Sequence, residues 1–216
     1  MGGVREVLNA ELEALNEHLA AMAGLAAVAM RQATQALTTG DLPLAERVIA
    51  ADAELDAARD TCEEHAQRLL ALQSPVAGDL RTVMATLICA VKIERMGDLA
   101  AHLADLVRRR HPEPVVPDAL VETVDTLGEL TVTMADRLHD LITGEAARGF
   151  TEMDDADDSV DALCARLMSM ITSEDYEHGV AAAANLALLA RFYERFADQA
   201  VSVARRLEFV TTGTLP

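Results

Sequence analysis

The chain has 216 residues, 51% of them hydrophobic, and a formal net charge of −18. That charge, 36 acids against 18 Lys and Arg, excludes nucleic-acid binding through a general basic footprint, which needs clustered cations. Aromatics make up 3% and Trp is absent, so the core must come from Leu, Ala, Val, Ile and Met, a set that favours an all-α fold.

Six helices follow in chain order. Val4 to Leu37 carries an apolar stripe (Leu8, Leu12, Leu15, Leu19, Met22, Ala26, Met30, Ala33, Leu37) at steps of three and four. Thr38-Thr39-Gly40 ends it, and Asp41 is placed to cap a second helix over about Pro43–Leu72, with Pro in its first turn. Gln73-Ser74-Pro75 is a break. The third helix spans about Val76 to Arg110, and its terminal Arg108-Arg109-Arg110 suits a helix C-terminus. The proline-rich stretch from His111 to Pro117 is the natural linker. Asp118 then caps a fourth helix to about Thr143, and Gly144 and Gly149 mark a turn. The fifth helix covers about Phe150–Thr172 and the sixth about Val180–Val210, with a loose tail over Thr211–Pro216.

Three helices, a linker and three helices read as a duplication: a first repeat over 1–111, a linker over 112–117 and a second repeat over 118–216. Thr39-Gly40-Asp41 matches Thr143-Gly144-Glu145. Asp52-x-x-x-Asp56 matches Asp157-x-x-x-Asp161, and Glu94-Arg95-x-x-Asp98 matches Glu194-Arg195-x-x-Asp198. Each half so carries two acid pairs at i, i+4, a spacing that stacks side chains on one helix face.

The acids of the third helix lie in line with Leu87, Ala90 and Val91. Those of the sixth share a stripe with Ala187, Ala190, Ala197 and Val201, with Leu188, Phe192 and Phe196 opposite. Such helices belong inside a bundle, where an unpaired carboxylate is costly. Three arrangements answer that cost. Arg95 and Arg195 pair with acids from neighbouring helices, or the acids face solvent, or a cation sits between the pairs. The cation is the reading carried forward. Carboxylates without Cys form a hard oxygen site suited to Mg²⁺, Mn²⁺, Ca²⁺ or iron, with zinc also accommodated. His102, one turn beyond Asp98, is a minor further ligand candidate. Asp60, Glu63, Asp154, Asp155 and Asp158 read as a solvated face.

Cys62, Cys89 and Cys164 are far apart and lie inside apolar patterns, so they read as reduced core residues of a cytoplasmic protein. Met1 to Glu17 does not read as a signal peptide. No apolar run reaches the length of a membrane span; Val180–Ala190 is short and carries Asn185.

With the tandem layout, Ser74-Pro75-Val76-Ala77-Gly78-Asp79-Leu80-Arg81, Ile93-Glu94-Arg95-Met96-Gly97-Asp98 and Glu194-Arg195-x-x-Asp198 in view, the chain resembles the PhoU family over nearly its whole length. The resemblance implies two similar three-helix bundles side by side. It implies metal ligation (Fe, Zn, Mn or Mg) by Asp52, Asp56, Glu94 and Asp98 in one half, and by Asp157, Asp161, Glu194 and Asp198 in the other. It also implies a cytoplasmic, non-enzymatic negative regulator of the phosphate-starvation response. Such a regulator links the nucleotide-binding subunit of the Pst phosphate transporter to a sensor histidine kinase, and homodimerisation is expected. Leu99 and Gln199 stand where the family often has His, so a smaller cluster or a labile Mg²⁺ is expected as readily as multinuclear iron. The competing functions are a carboxylate-bridged metal enzyme, which the missing Glu-x-x-His and Gly-rich phosphate loop disfavour, and a purely structural scaffold.

Overall fold

A computed structural model describes residues 2–144 and 150–213. Six long helices make up the fold: α1 (Gly2–Thr39), α2 (Leu42–Gln73), α3 (Gly78–Arg110), α4 (Val121–Thr143), α5 (Phe150–Ile171) and α6 (Gly179–Thr212). The chain is all-α, as expected. Glu145 and Gly149 of the expected turn, and residues 214–216 of the expected tail, lie outside the described residues. Thr211 and Thr212 continue α6.

Local chemistry sets most of the helix ends. Asp41 accepts the Leu44 N–H at 2.9 Å, with Pro43 in the first turn, satisfying one of the amides a helix start leaves unpaired. Gly40 and Gly144 adopt φ of +68° and +78°, which a side chain resists and glycine does not. Two expectations need correction. Asp118 does not cap α4; it opens a 3₁₀ turn over Asp118–Leu120, and the helix begins after it with no side-chain cap. The third helix starts at Gly78 rather than Val76, because Ser74 and Ala77 both take positive φ and turn the chain there.

Within the first half α1, α2 and α3 pack on one another; in the second, α4, α5 and α6 do. The halves join through α1 against α4 and α3 against α6. One aliphatic core runs through both, from Leu15 and Met30 to Leu138 and Val203. Helices α3 and α6 run antiparallel. The Arg81 guanidinium, early in α3, lies over Phe209, late in α6, and His102 further along α3 stacks on Phe192 with centroids 5.3 Å apart.

Thr34 marks the centre of the seam between halves. Its hydroxyl is 2.7 Å from the Tyr193 hydroxyl, and both residues are buried. Gly128 of α4 faces the same threonine so closely that a Cβ there would overlap its side chain. Burial pushes the Tyr193 phenol pKa upward, with Thr34 partly opposing the shift. The three cysteines are free and buried, and burial pushes Cys62 to about 11 and Cys89 and Cys164 to about 12. They behave as core residues rather than reactive thiols.

A second close approach joins α2 to α3. A Cβ on Gly97 would overlap the Leu55 Cδ2 methyl. The corresponding residues of the second half are Ala197 and Val160, both fully buried. The second half thus has one carbon more on α6 and one fewer on α5, so each helix pair holds the same side-chain volume. Gly97→Ala alone is expected to cost about 2 kcal/mol through overpacking, and Leu55→Val alone about 1 kcal/mol. The double variant should return to within about 1 kcal/mol of wild type in urea denaturation, through direct coupling of the two sites. Simple addition of the two losses would refute the exchange.

Candidate metal centre

The two acid pairs of the first half face each other across α2 and α3. Burial raises the Asp52 pKa, followed by the charges of Asp98 and Asp56. Burial likewise raises that of Glu94, followed by Asp98, with Asp56 and Asp52 adding to it and the Arg59 cation opposing it. The four carboxylates expected to converge therefore share one electrostatic environment. Gly97 lets α3 approach beside Asp52, whose Oδ1 would stand 3.4 Å from a Cβ at that position.

The second half repeats the arrangement on α5 and α6. Asp157 is pushed to about 6, first by burial, then by Asp161 and Asp198, with Asp154 and Asp158 adding to the field. Asp161 is raised by burial, Glu194, Asp198 and Asp158, and lowered by Arg191.

The quartets lie at the rim of the bundle rather than deep within it. Asp52, Glu94, Asp98, Asp157 and Glu194 are half-buried, while Asp56, Asp161 and Asp198 are exposed. The solvent-facing and ion-paired arrangements are therefore each realised in part. Arg95 does not reach a neighbouring helix; it donates to Asp98 one turn along α3. Arg195 makes no ion pair among the described residues. The cross-helix cation is Arg59 of α2, 3.5 Å from Glu94 Oε1 and also bonded to Asp60 at 2.8 Å.

In the second half Arg191 donates to Glu194 at 2.7 Å. The two halves so solve one problem from different positions. Counting in register, Cys164 replaces Arg59 on α5, and Val91 on α3 replaces Arg191. Each glutamate receives one guanidinium, from α2 in one copy and from α6 in the other. Sequence reasoning passed over Arg59 and Arg191, although each lies three residues from an acid of its quartet, the spacing of a helical ion pair.

His102, the minor further candidate, is exposed on α3. Its ring stacks on Phe192 across the α3–α6 seam, and its charge lies close enough to Asp52 to oppose the rise in that group's pKa. Asp60, Asp154, Asp155 and Asp158 are exposed, as expected of a solvated face, and Glu63 is half-buried.

The donor set fits a hard cation: carboxylate oxygens on facing helices, and in the second quartet an Asp157 Oδ1 that is shielded from solvent without a hydrogen-bond partner. Among the described residues no three His, Cys, Asp or Glu side chains stand drawn in around one point. Glu94 and Glu194 are engaged by Arg59 and Arg191.

A family model described as the PhoU domain matches the chain twice, over residues 19–107 and 124–207. The phosphate-specific transport system accessory protein PhoU homolog 1 of Mycobacterium leprae is 41% identical, with 99% of this chain and 96% of that protein covered. PhoU homolog 2 of Mycobacterium tuberculosis is 40% identical, with 99% and 100% covered. Among solved structures, PhoU from Pseudomonas aeruginosa superposes with a TM-score of 0.82 at 26% identity, covering 95% of this chain and 99% of that one. The phosphate transport system regulatory protein PhoU of Streptococcus pneumoniae superposes with a TM-score of 0.87 at 24% identity, covering 97% and 99%.

The raised Asp157 pKa makes a stability prediction whose sign is fixed. The folded protein holds this proton more tightly than the unfolded chain, so its contribution to stability is greatest below 3.8 and is lost as pH rises through about 6. A shift of this size in a fully shielded site corresponds to ~3 kcal/mol; solvent around a half-buried carboxylate reduces it to about 1 kcal/mol. In metal-free buffer Asp157→Asn should raise Tm at pH 7 by roughly 2–4 °C. The gain should shrink towards zero at pH 4. A variant that melts lower at pH 7 would show that Asp157 is held by favourable contacts instead.

Proposed function

The chain belongs to the PhoU family, and we propose that it regulates phosphate-specific transport as an accessory protein and negative regulator of the phosphate-starvation response. In this reading it works in the cytoplasm as a homodimer. It restrains signalling by contacting the nucleotide-binding subunit of the Pst transporter and a sensor histidine kinase. Cations held by the two carboxylate quartets set the rigidity of the contacting face. The relatives matched over their whole length are named as accessory proteins of phosphate-specific transport, and none of the described helices is long and apolar enough to cross a membrane.

The observation that carries the metal part of this reading is the pairing of carboxylates across α2–α3 and again across α5–α6. Asp52, Asp56, Glu94 and Asp98 would hold one cation or cluster, and Asp157, Asp161, Glu194 and Asp198 the other. A bound cation supplies positive charge that offsets the mutual repulsion of the acids. The protein's own part is geometric. Gly97 and Ala197 let the helices of each pair approach, and Arg59, Arg95 and Arg191 hold the carboxylates splayed until they are displaced. The relevant ions are Mg²⁺, Mn²⁺, Zn²⁺ or iron, all of which carboxylates ligate.

Two measurements test the reading together. Elemental analysis of protein purified without a metal-affinity tag should show bound metal. The content should fall by about half in Glu94→Gln/Asp98→Asn or in Glu194→Gln/Asp198→Asn, and to background when the two pairs are combined, as expected of independent sites. In a strain lacking the gene, wild type should restore repression of a phosphate-responsive reporter at high phosphate, and the combined variant should leave it several-fold derepressed. Unchanged metal content would remove the metal part, and a reporter indifferent to deletion of the gene would remove the regulatory part.

A further inference from the structure

The duplication places Arg95 and Arg195, the same residue of the two Glu-Arg-x-x-Asp copies, on the walls of one groove. Because α3 and α6 run antiparallel, the midpoint of their contact falls between these two arginines. The groove has a volume of about 690 Å³, and Leu87, Ile88 and Val91 of α3 also line it beside Lys92. Lys92 is the single lysine of the chain. Two carboxylates border the groove, Glu63 and Glu94, the second engaged by Arg59.

The groove so carries three cations beside two carboxylates on a chain whose overall charge is −18. Neither Lys92 nor Arg195 has an ion pair among the described residues. Arg95 is paired with Asp98 on its own helix, which leaves Lys92 and Arg195 as the cations open to an anionic partner. The apolar stripe extends along α3 towards its start through Met84 and Leu80. Leu80, Met84 and Val91 are 40%, 47% and 48% exposed. With Leu87 they recur at steps of four, three and four, one helix face about 17 Å long. An apolar strip with cations at one end is complementary to a helix that is apolar on one face and acidic at its flank.

We propose that the α3–α6 groove docks an amphipathic helix of an acidic partner protein. Its apolar face lies on Leu87, Ile88 and Val91, and its carboxylates reach Lys92, Arg95 and Arg195. A helix suits this surface better than an anionic membrane does. The acidic remainder of the chain repels a lipid surface of its own sign. The proposal gives the regulator reading a contact surface and rests on it for the existence of a partner. The two fail separately, since this one is tested on purified protein without the phosphate reporter.

The probe is a fluorescein-labelled amphipathic peptide of about 18 residues, roughly five helical turns, with Leu at positions i, i+3, i+4 and i+7 and Glu on the flanks. Fluorescence anisotropy should show saturable binding that weakens with salt. The same peptide with Lys for Glu should bind at least ~10-fold more weakly, an electrostatic discrimination of about 1.4 kcal/mol. Val91→Glu should abolish binding, and Lys92→Glu/Arg195→Glu should weaken it ~10-fold or more, with helicity and Tm retained because these side chains are exposed or half-buried. Equal binding of the Glu and Lys peptides would overturn the proposal. So would unchanged binding by both variants, or binding only to vesicles of phosphatidylglycerol.

Discussion

The close approach of three helices at Thr34 ties the two halves into one body. Gly128 removes the side chain that would hold α4 away from α1, and Tyr193 of α6 reaches across to share its hydroxyl with Thr34. A buried phenol without a partner is costly, so this hydrogen bond matters more for what its absence would leave than for its own strength. With α1 against α4 and α3 against α6, the helices that carry the second acid pair of each half are central rather than peripheral. The antiparallel placement of α3 and α6, the stacking of His102 on Phe192 and the meeting of Arg95 with Arg195 all depend on that seam.

The acids remain at the rim because α2 and α5 each flank only one side of the assembly. Their exposed Asp56 and Asp161 keep water at hand, while Asp52 and Asp157 one turn earlier are drawn into the crease. Each quartet is therefore a mixture of solvated and shielded carboxylates, and the half-buried Asp of α2 and of α5 both have raised pKa values. Arginine neutralises the two copies from different helices, Arg59 in one and Arg191 in the other. Fold duplication preserved the acids and the requirement for a counter-charge, but left the source of that charge free to change.

Most of the architecture was legible in the sequence, because six long apolar periodicities were punctuated by Gly40, Pro43, Pro75 and Gly144. The facing of the acid pairs was legible too, since a repeat with acids at i, i+4 on two helices has few ways to place them. The start of α3 was not, because it depends on left-handed Ser74 and Ala77, residue types that do not advertise such a turn. Asp118 had the chemistry of a cap but sits in a 3₁₀ turn two residues too early. The pairing of Arg59 with Glu94 joins residues 35 apart, and the convergence of Arg95 with Arg195 needs the antiparallel contact of α3 and α6. Helical periodicity states which face a residue occupies, never which other face it will meet.

The exchange of Leu55 and Gly97 for Val160 and Ala197 constrains the history of the chain. If the halves began as identical copies of either present form, one of them changed twice to reach its present packing. Starting from the Leu/Gly form, an alanine acquired first would overlap the Leu55 methyl in a full crease, whereas a valine acquired first would only leave a small void. Voids of one methylene are tolerated better than overlap with a buried side chain. The passable route is thus directional, shrinking before filling, and in the reverse direction alanine gives way to glycine before valine grows to leucine. Two helix pairs of equal volume can so be separated by a path that mutation travels in only one order.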